Sequence, residues 1–341
     1  MPFVSCTMKE VADRAGVHPA TVSRALRHDA RITPGQRKKI LQLAKEMGYR
    51  KNPLIAALMS ARRTGRPSTH HATLAFITHY PAERRAFFQN EFGHLLAGAR
   101  DRAQAQSYRI EEINIHPPSL TTARITDILH SRGIHGAVVA PLHSIHETFR
   151  FDWTQFSAVA IGFSFQRLPV NRVAHNHYNG LSSAVHACRA AGRTRLGLVV
   201  PQRVHEKVEK RWLAAMLVDQ AETPGEHVPP LVLAEGAEEA FFDWFHRHRP
   251  EALLGPHPVR LKEWLQQIGG GARTTAIVSL DRRPRDRGVA GINQNYPQIG
   301  ATAVDTVIGM LNRNEQGLPA NPATLLIDGT WVPAGSLRPL T

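Results

Sequence analysis

The sequence predicts an α/β protein: a small head of three short helices, then a larger body of parallel sheets flanked by helices. Three observations carry that expectation. From residue 72 onward, apolar runs suited to strands alternate with helical stretches, the order that parallel sheets require. Residues 1–66 instead show helix caps and helical apolar stripes, and they hold 14 Lys/Arg against 4 Asp/Glu. The other 275 residues hold 28 against 24, so the net charge of +14 sits mostly in the head. A body of about 270 residues is long enough for two lobes.

The head begins at Thr7, which has capping-box spacing to Glu10. Val11 and Ala15 then share a face, and Gly16 ends the helix. His18 takes the next cap position, and Pro19 suits a first helical turn. The second helix, "PATVSRAL", turns Val22 and Leu26 inward and leaves Pro19, Ala20, Thr21, Ser23 and Arg24 outward. Thr33, Pro34 and Gln36 open a third helix with an apolar stripe of Ile40, Leu43, Ala44 and Met47, ended by Gly48. Two short helices joined by a glycine turn and braced by a third match a helix-turn-helix.

A basic head on a nearly neutral body implies a polyanionic partner for the head; a solvated basic tail is the alternative. Small outward residues let the second helix approach base edges closely. Arg24 reaches guanine with two parallel hydrogen bonds, and Thr21 and Ser23 contact phosphate or bases. A plain three-helix bundle with a hydrophilic face is the competing reading.

The stretch "TMKEVADRAGVHPATVSRAL", followed by "ITPGQRKKILQLAKEMGYRKN", resembles the DNA-binding head of the lactose-repressor (LacI/GalR) family across almost all of residues 7–60. The resemblance implies base reading by Pro19, Ala20 and Arg24, supported by Thr21 and Ser23, with Thr7 and His18 completing the DNA-contacting set. The family usually carries serine where this chain has His18. It also implies that "KNPLIAALMSARR" is a hinge helix folding on operator DNA, with Asn52 and Ala56 in the hinge and Leu58 as a minor-groove wedge. An isolated helix of that length is marginal in water, so DNA and a partner hinge would have to stabilise it. "TGRPSTHH" reads as a flexible joint. The expected division is 1–51 for the head, 52–71 for hinge and linker, and 72–341 for the body.

In the body, strand-like runs include "ATLAFITH", "YRIEEINIH", "GAVVAPL", "AVAIGFSF", "RLGLVVP", "PPLVLAE", "EALLGP" and "TTAIVSLD". Helical patterns include "NEFGHLLAGARDRAQAQ", "NGLSSAVHACRAAG" and "VEKRWLAAMLVDQA". No G-x-G-x-x-G follows the first strand, and neither G-x-x-x-x-G-K-[ST] nor G-x-S-x-G occurs, so no cofactor or catalytic residue is expected. The 19 histidines form clusters at His70-His71, His143 and His146, His175 and His177, and His246 and His248. None matches a zinc signature; they read as adventitious or surface histidines, and no metal site is expected.

The body also resembles the family's two-lobed, periplasmic-binding-protein-like effector domain. That resemblance implies cleft positions at Asp281, Gln294 and Tyr296. It places Trp212, with Arg211 beside it, where sugar-binding members carry arginine, and His257 and Pro258 where many have Asn-Asp. Asn176 stands where aspartate is common. Trp212 either stacks on a sugar face or fills the cleft.

The chain is therefore expected to be a cytoplasmic, homodimeric regulator of transcription. It would bind an approximately palindromic operator, and most simply it is a repressor controlled by a sugar-like small molecule. The absence of a membrane-length apolar run and of a secretory leader at its start points the same way. Its two cysteines, Cys6 and Cys188, suit a reducing compartment. The alternatives are a ligand-independent repressor of the same fold, a solute-binding protein, and an enzyme using the cleft.

Overall fold

The computed structural model describes residues 7–26, 29, 31–47, 49, 72–116, 121–147, 149–166, 168–270 and 274–338. The hinge positions Asn52, Ala56 and Leu58 lie outside the described residues, as do Cys6, Gly48 and the His70-His71 pair.

The head forms where its caps place it. Helix α1 (Met8–Ala15) starts at Thr7, whose Oγ1 accepts from the Glu10 N–H at 3.2 Å while the Thr7 N–H donates to Glu10 Oε2 at 2.6 Å. These bonds satisfy donors that a helix start otherwise leaves open. Gly16 ends α1 at φ +64°, a conformation free of strain only without a Cβ. Helix α2 (Pro19–Ala25) follows His18, whose Nδ1 accepts from the Ala20 N–H at 3.2 Å. Helix α3 (Pro34–Glu46) follows Thr33, whose Oγ1 accepts from the Gln36 N–H at 3.4 Å. Arg37 Nη2 donates to the carbonyls of Asp29 and Ile32 at 2.9 and 3.0 Å, bracing the connection from α2.

Val11, Ala12, Val22, Ala25, Ile32, Ile40 and Ala44 close the head's core. Two positions differ from the sequence expectation. The inward pair on α2 is Val22 and Ala25, three residues apart, while Leu26 is half-buried as the C-cap of a two-turn helix. On α1, Ala12 rather than Ala15 is buried beside Val11.

The body has two sheets. The first contains β1 (Ala72–Thr78), β2 (Tyr108–Asn114), β3 (Gly136–Val139), β4 (Ser157–Ile161), β5 (Arg172–His175) and β11 (Thr324–Ile327). Its order is β11-β5-β4-β3-β1-β2, with every pairing parallel. The second contains β6 (Leu196–Pro201), β7 (Leu231–Leu233), β8 (Ala252–Gly255), β9 (Ala276–Ser279), β10 (Ala290–Asn293) and β12 (Thr330–Val332). Its order is β12-β10-β9-β8-β6-β7; β12 runs antiparallel to β10 and the other pairings are parallel. The inner strands are buried on both faces, which is why they read as continuous apolar runs rather than alternating ones.

Helices α4 (Arg85–Ala105) and α5 (Thr122–Ser131) serve the first lobe. Helices α6 (His177–Ala190), α7 (Gln202–Lys207), α8 (Arg211–Glu222), α9 (Glu238–His248) and α10 (Pro258–Ile268) serve the second. Helix α11 (Tyr296–Asn312) returns to the first lobe and packs on α4. Among the described residues the chain thus crosses between lobes from β5 to α6, from β10 to α11, and from β11 to β12. Asp328 ties the crossings together: its Oδ1 accepts from Asn176 Nδ2 at 2.8 Å, and its carbonyl accepts from Asn295 Nδ2 at 2.8 Å.

The α/β class with a helical head and a two-lobed parallel-sheet body is as expected, with local corrections. The single helix expected over "VEKRWLAAMLVDQA" is broken: Glu209 and Lys210 take φ of +52° and +60°, and α8 starts only at Arg211. Strands β5, β10, β11 and β12 were not among the expected runs. Each has three or four residues, too few to show a period.

Candidate functional site

On α2, Ala20 is exposed and Pro19, Thr21, Ser23 and Arg24 are half-buried, while Val22 and Ala25 face the core. The small residues at the start of the helix leave its backbone approachable, and Arg24 lies one turn further on. Thr7 and His18 cap the two helices, so their side chains carry capping bonds already.

The six cleft candidates do not form one cluster. Asp281, Gln294 and Tyr296 join one network with Arg283. The Tyr296 hydroxyl lies 3.0 Å from Asp281 Oδ1 and 3.1 Å from Gln294 Oε1, and accepts from Arg283 Nη2 at 2.8 Å. Arg283 Nη2 also reaches Asp281 Oδ2 at 2.8 Å, its guanidinium lies 4.0 Å from the Tyr296 ring centroid, and Gln294 Nε2 donates to the Leu280 carbonyl at 2.9 Å. These polar groups bond mainly to one another, although Arg283 Nε is buried without a hydrogen-bond partner among the described residues.

Arg211 and Trp212 lie elsewhere, at the start of α8. The Arg211 guanidinium sits 4.1 Å from the Phe163 ring centroid and donates to Glu209 Oε2 at 2.8 Å. Trp212 is 2% exposed, packed in the second lobe's core with its ring 5.1 Å from that of His177. His257 precedes α10 and shares a groove with Asp281, Arg260 and Glu263.

Sequence reading placed His175 and His177 among surface histidines; the structure buries both. Their rings lie 4.9 Å apart at the first crossing. His175 Nδ1 is 3.2 Å from the Ile327 carbonyl, while His175 Nε2, His177 Nδ1 and Trp212 Nε1 find no partner. Burial pushes the His175 imidazole down to about 4, against the pull of Asp281 and Asp328. Burial first, then the neighbouring His175 and Arg211, push His177 well below the ordinary histidine range. Both rings are neutral near pH 7. The apolar Val173, Ala174, Leu181 and Ala184 on β5 and α6 were the signal in the sequence of an interior position.

A second group missed in the sequence lies at the carboxyl ends of β1 and β2, where open α/β sheets bind ligands. His79, Tyr80, Arg84, Phe88, Phe92 and His143 help to line a cavity of about 200 Å³ there. Arg203, on α7, donates from Nη1 to the His143 carbonyl at 3.0 Å across the lobes. None of the described His, Cys, Asp and Glu residues forms a group of three or more that could hold a metal ion. No helix among the described residues is long and apolar enough to cross a membrane.

With this geometry in view, comparison with known proteins locates the head. Residues 7–52 match the sequence model described as bacterial regulatory proteins, lacI family. Over those residues the head is similar to that family. The chain is 48% identical over 56 residues to the HTH-type transcriptional regulator GntR of Pseudomonas aeruginosa, a match spanning 16% of either chain. It is 32% identical over 150 residues to the HTH-type transcriptional regulator AscG of Escherichia coli, covering 38% of this chain and 42% of that one. These matches therefore span less than half of either relative. Among solved structures, the lac repressor dimer bound to operator and the anti-inducer ONPF superposes with a TM-score of 0.56, covering 98% of this chain and 99% of that one. At 16% identity, that likeness shows a shared fold.

Proposed function

We propose that this protein is a sequence-specific DNA-binding regulator of transcription, acting as a homodimer whose body senses a small molecule. The observation that carries the reading is the lacI-like head, in which α2 turns Ala20, Thr21, Ser23 and Arg24 away from the core. The charge of residues 1–66 supports it, since phosphate contacts supply most of the affinity for DNA while base contacts supply the choice of site. The names of the relatives, both transcriptional regulators, and the operator-bound lac repressor dimer support it too.

In this reading residues 1–51 read DNA, 52–71 form hinge and linker, and 72–341 bind the effector and the second subunit. Pro19, Ala20 and Arg24 meet base edges, Thr21 and Ser23 assist, and Thr7 and His18 hold helix starts against phosphate. Asn52, Ala56 and Leu58 belong to the hinge, with Leu58 as the wedge. Two heads occupy two half-sites, so the operator is an approximate palindrome in the cytoplasm's DNA. A ligand that changes the lobes' separation changes the spacing of the hinges, and its effect on operator affinity equals its differential affinity for the two states.

Replacing Arg24 with alanine is expected to cost roughly 1 to 3 kcal/mol on the specific site and much less on random duplex. Fluorescence anisotropy with both duplexes checks this; an equal loss on both would remove Arg24 from base reading.

A ligand-independent repressor is the second reading. It is favoured by the burial of Trp212 and by the bonds among Asp281, Arg283, Gln294 and Tyr296, which engage those cleft positions with one another.

A further inference from the structure

The cavity at the ends of β1 and β2 differs from the rest of the cleft in its charge. One wall is aromatic: the Tyr80 and Phe88 rings stack at 4.4 Å, and Phe92 follows at 4.9 Å from Phe88. Three cations stand around it. Arg84 lines the cavity from the first lobe, while Arg203 and Lys207 reach toward it from α7 in the second. Lys207 Nζ lies 5.3 Å from the Phe92 ring centroid. Among the described residues neither Arg84 nor Arg203 forms an ion pair; Arg203 spends its Nη1 on the carbonyl and ring of His143, both uncharged.

The local carboxylates have partners of their own, Glu147 while lining the cavity beside His79. Burial pushes the Glu147 carboxyl up, but the His79 ring at 3.4 Å and the Ser144 N–H at 3.2 Å outweigh it and keep Glu147 ionised. Glu112 accepts from the Tyr80 hydroxyl at 3.0 Å and lies 3.8 Å from Arg100. Burial, then Arg203, Arg84 and Lys207, hold the His143 imidazole below its ordinary pKa, so it adds no charge near pH 7. In the second lobe, by contrast, Arg260 is paired with Glu238 and Arg283 with Asp281.

We propose that this cavity binds a small organic anion carrying a flat ring, as a carboxylate or a phosphate ester. The ring lies against the Phe92 wall and the anion between Arg84, Arg203 and Lys207. Unpaired guanidinium groups recognise carboxylate and phosphate oxygens through charge-assisted bonds. A neutral polyol would instead need matched donors and acceptors, and here the guanidinium groups of Arg84 and Arg203 form no ion pair among the described residues. A volume of about 200 Å³ limits the ligand to a single ring. Because the cations come from both lobes, an anion here would draw the lobes together. That regulatory role rests on the effector-sensing reading above; the binding itself does not.

Isothermal titration of the full-length chain with phenyl phosphate, with phenol and inorganic phosphate as its two halves, tests the site. Phenyl phosphate is expected to bind more tightly than either half. Arg84→Ala, at an exposed position, should weaken it about tenfold, while Arg260→Ala should leave it unchanged. Heats no greater than those of inorganic phosphate, or a loss in Arg260→Ala without one in Arg84→Ala, would overturn the site. If phenyl phosphate binds in this pattern but leaves operator affinity unchanged, the anion site stands and its regulatory role is wrong. If a specific operator is found and phenyl phosphate stays silent, the DNA reader stands and the anion site is wrong.

Discussion

Gly98→Ala is expected to destabilise the first lobe by about 3 kcal/mol or more, whereas Gly93→Ala, five residues earlier in the same helix, should stabilise it by about 0.5 to 1 kcal/mol. The difference lies in what each new methyl would meet. At Gly93 nothing lies within 4 Å, so alanine only improves helix propensity. At Gly98 a Cβ would run into the Pro297 carbonyl, and at the facing Gly300 one would run into the Leu95 carbonyl. Both obstacles are backbone, so no side-chain rotation relieves them; α4 and α11 would have to separate. That contact holds the returning segment on the first lobe, in a core that includes Leu95, Ala99, Ile299 and Ala303. Urea denaturation midpoints of the two variants check the pair. Equal shifts would mean the helices do not cross at these glycines.

Acid is expected to weaken the protein well before its carboxylates titrate. With a folded pKa of about 4 against an ordinary 6.5, His175 takes up protons more readily when unfolded. Its contribution to stability is therefore complete above pH 6.5 and is lost as the pH falls from there toward about 4, amounting to about 3 kcal/mol. His177 acts in the same direction, as do His143 and His205, whose imidazoles burial also depresses. Glu147 and Glu251, held below the usual carboxylate range, lose their contributions only at still lower pH. His175 has no room to escape: a Cβ at Gly180 would lie 2.8 Å from its Nε2, and one at Gly329 2.8 Å from its Cε1. Unfolding free energies at pH 7.5 and 5.5 should differ, and His177→Gln should reduce the difference. A flat profile between those pH values would contradict the buried, neutral pair.

The head was legible because its signals are local. Thr7 with Glu10, His18 before Pro19, and Thr33 before Gln36 act within four residues, and the same side chains make the bonds in the structure. The inner strands were legible because burial on both faces leaves continuous apolar runs. Strands β10 and β12 were not, since their pairing joins residues such as Gly291 and Val332 that are distant along the chain. The break before Arg211 depends on two left-handed residues that are neither glycine nor asparagine, so composition gave no warning. Family register named the cleft positions but not their state: Trp212 entered the core, and Asp281 became bound to Arg283. The aromatic and cationic cavity was missed because its lining comes from separate segments, and only folding brings Arg84 and Arg203 near His143.

The most direct measurement is selection of binding sites from a random double-stranded DNA pool by the purified full-length protein, followed by sequencing of what is enriched. The expected result is an approximate palindrome of two half-sites with short fixed spacing, bound by a dimer. No enriched motif, with binding that disappears in moderate salt, would contradict it and reduce the head to an electrostatic anchor.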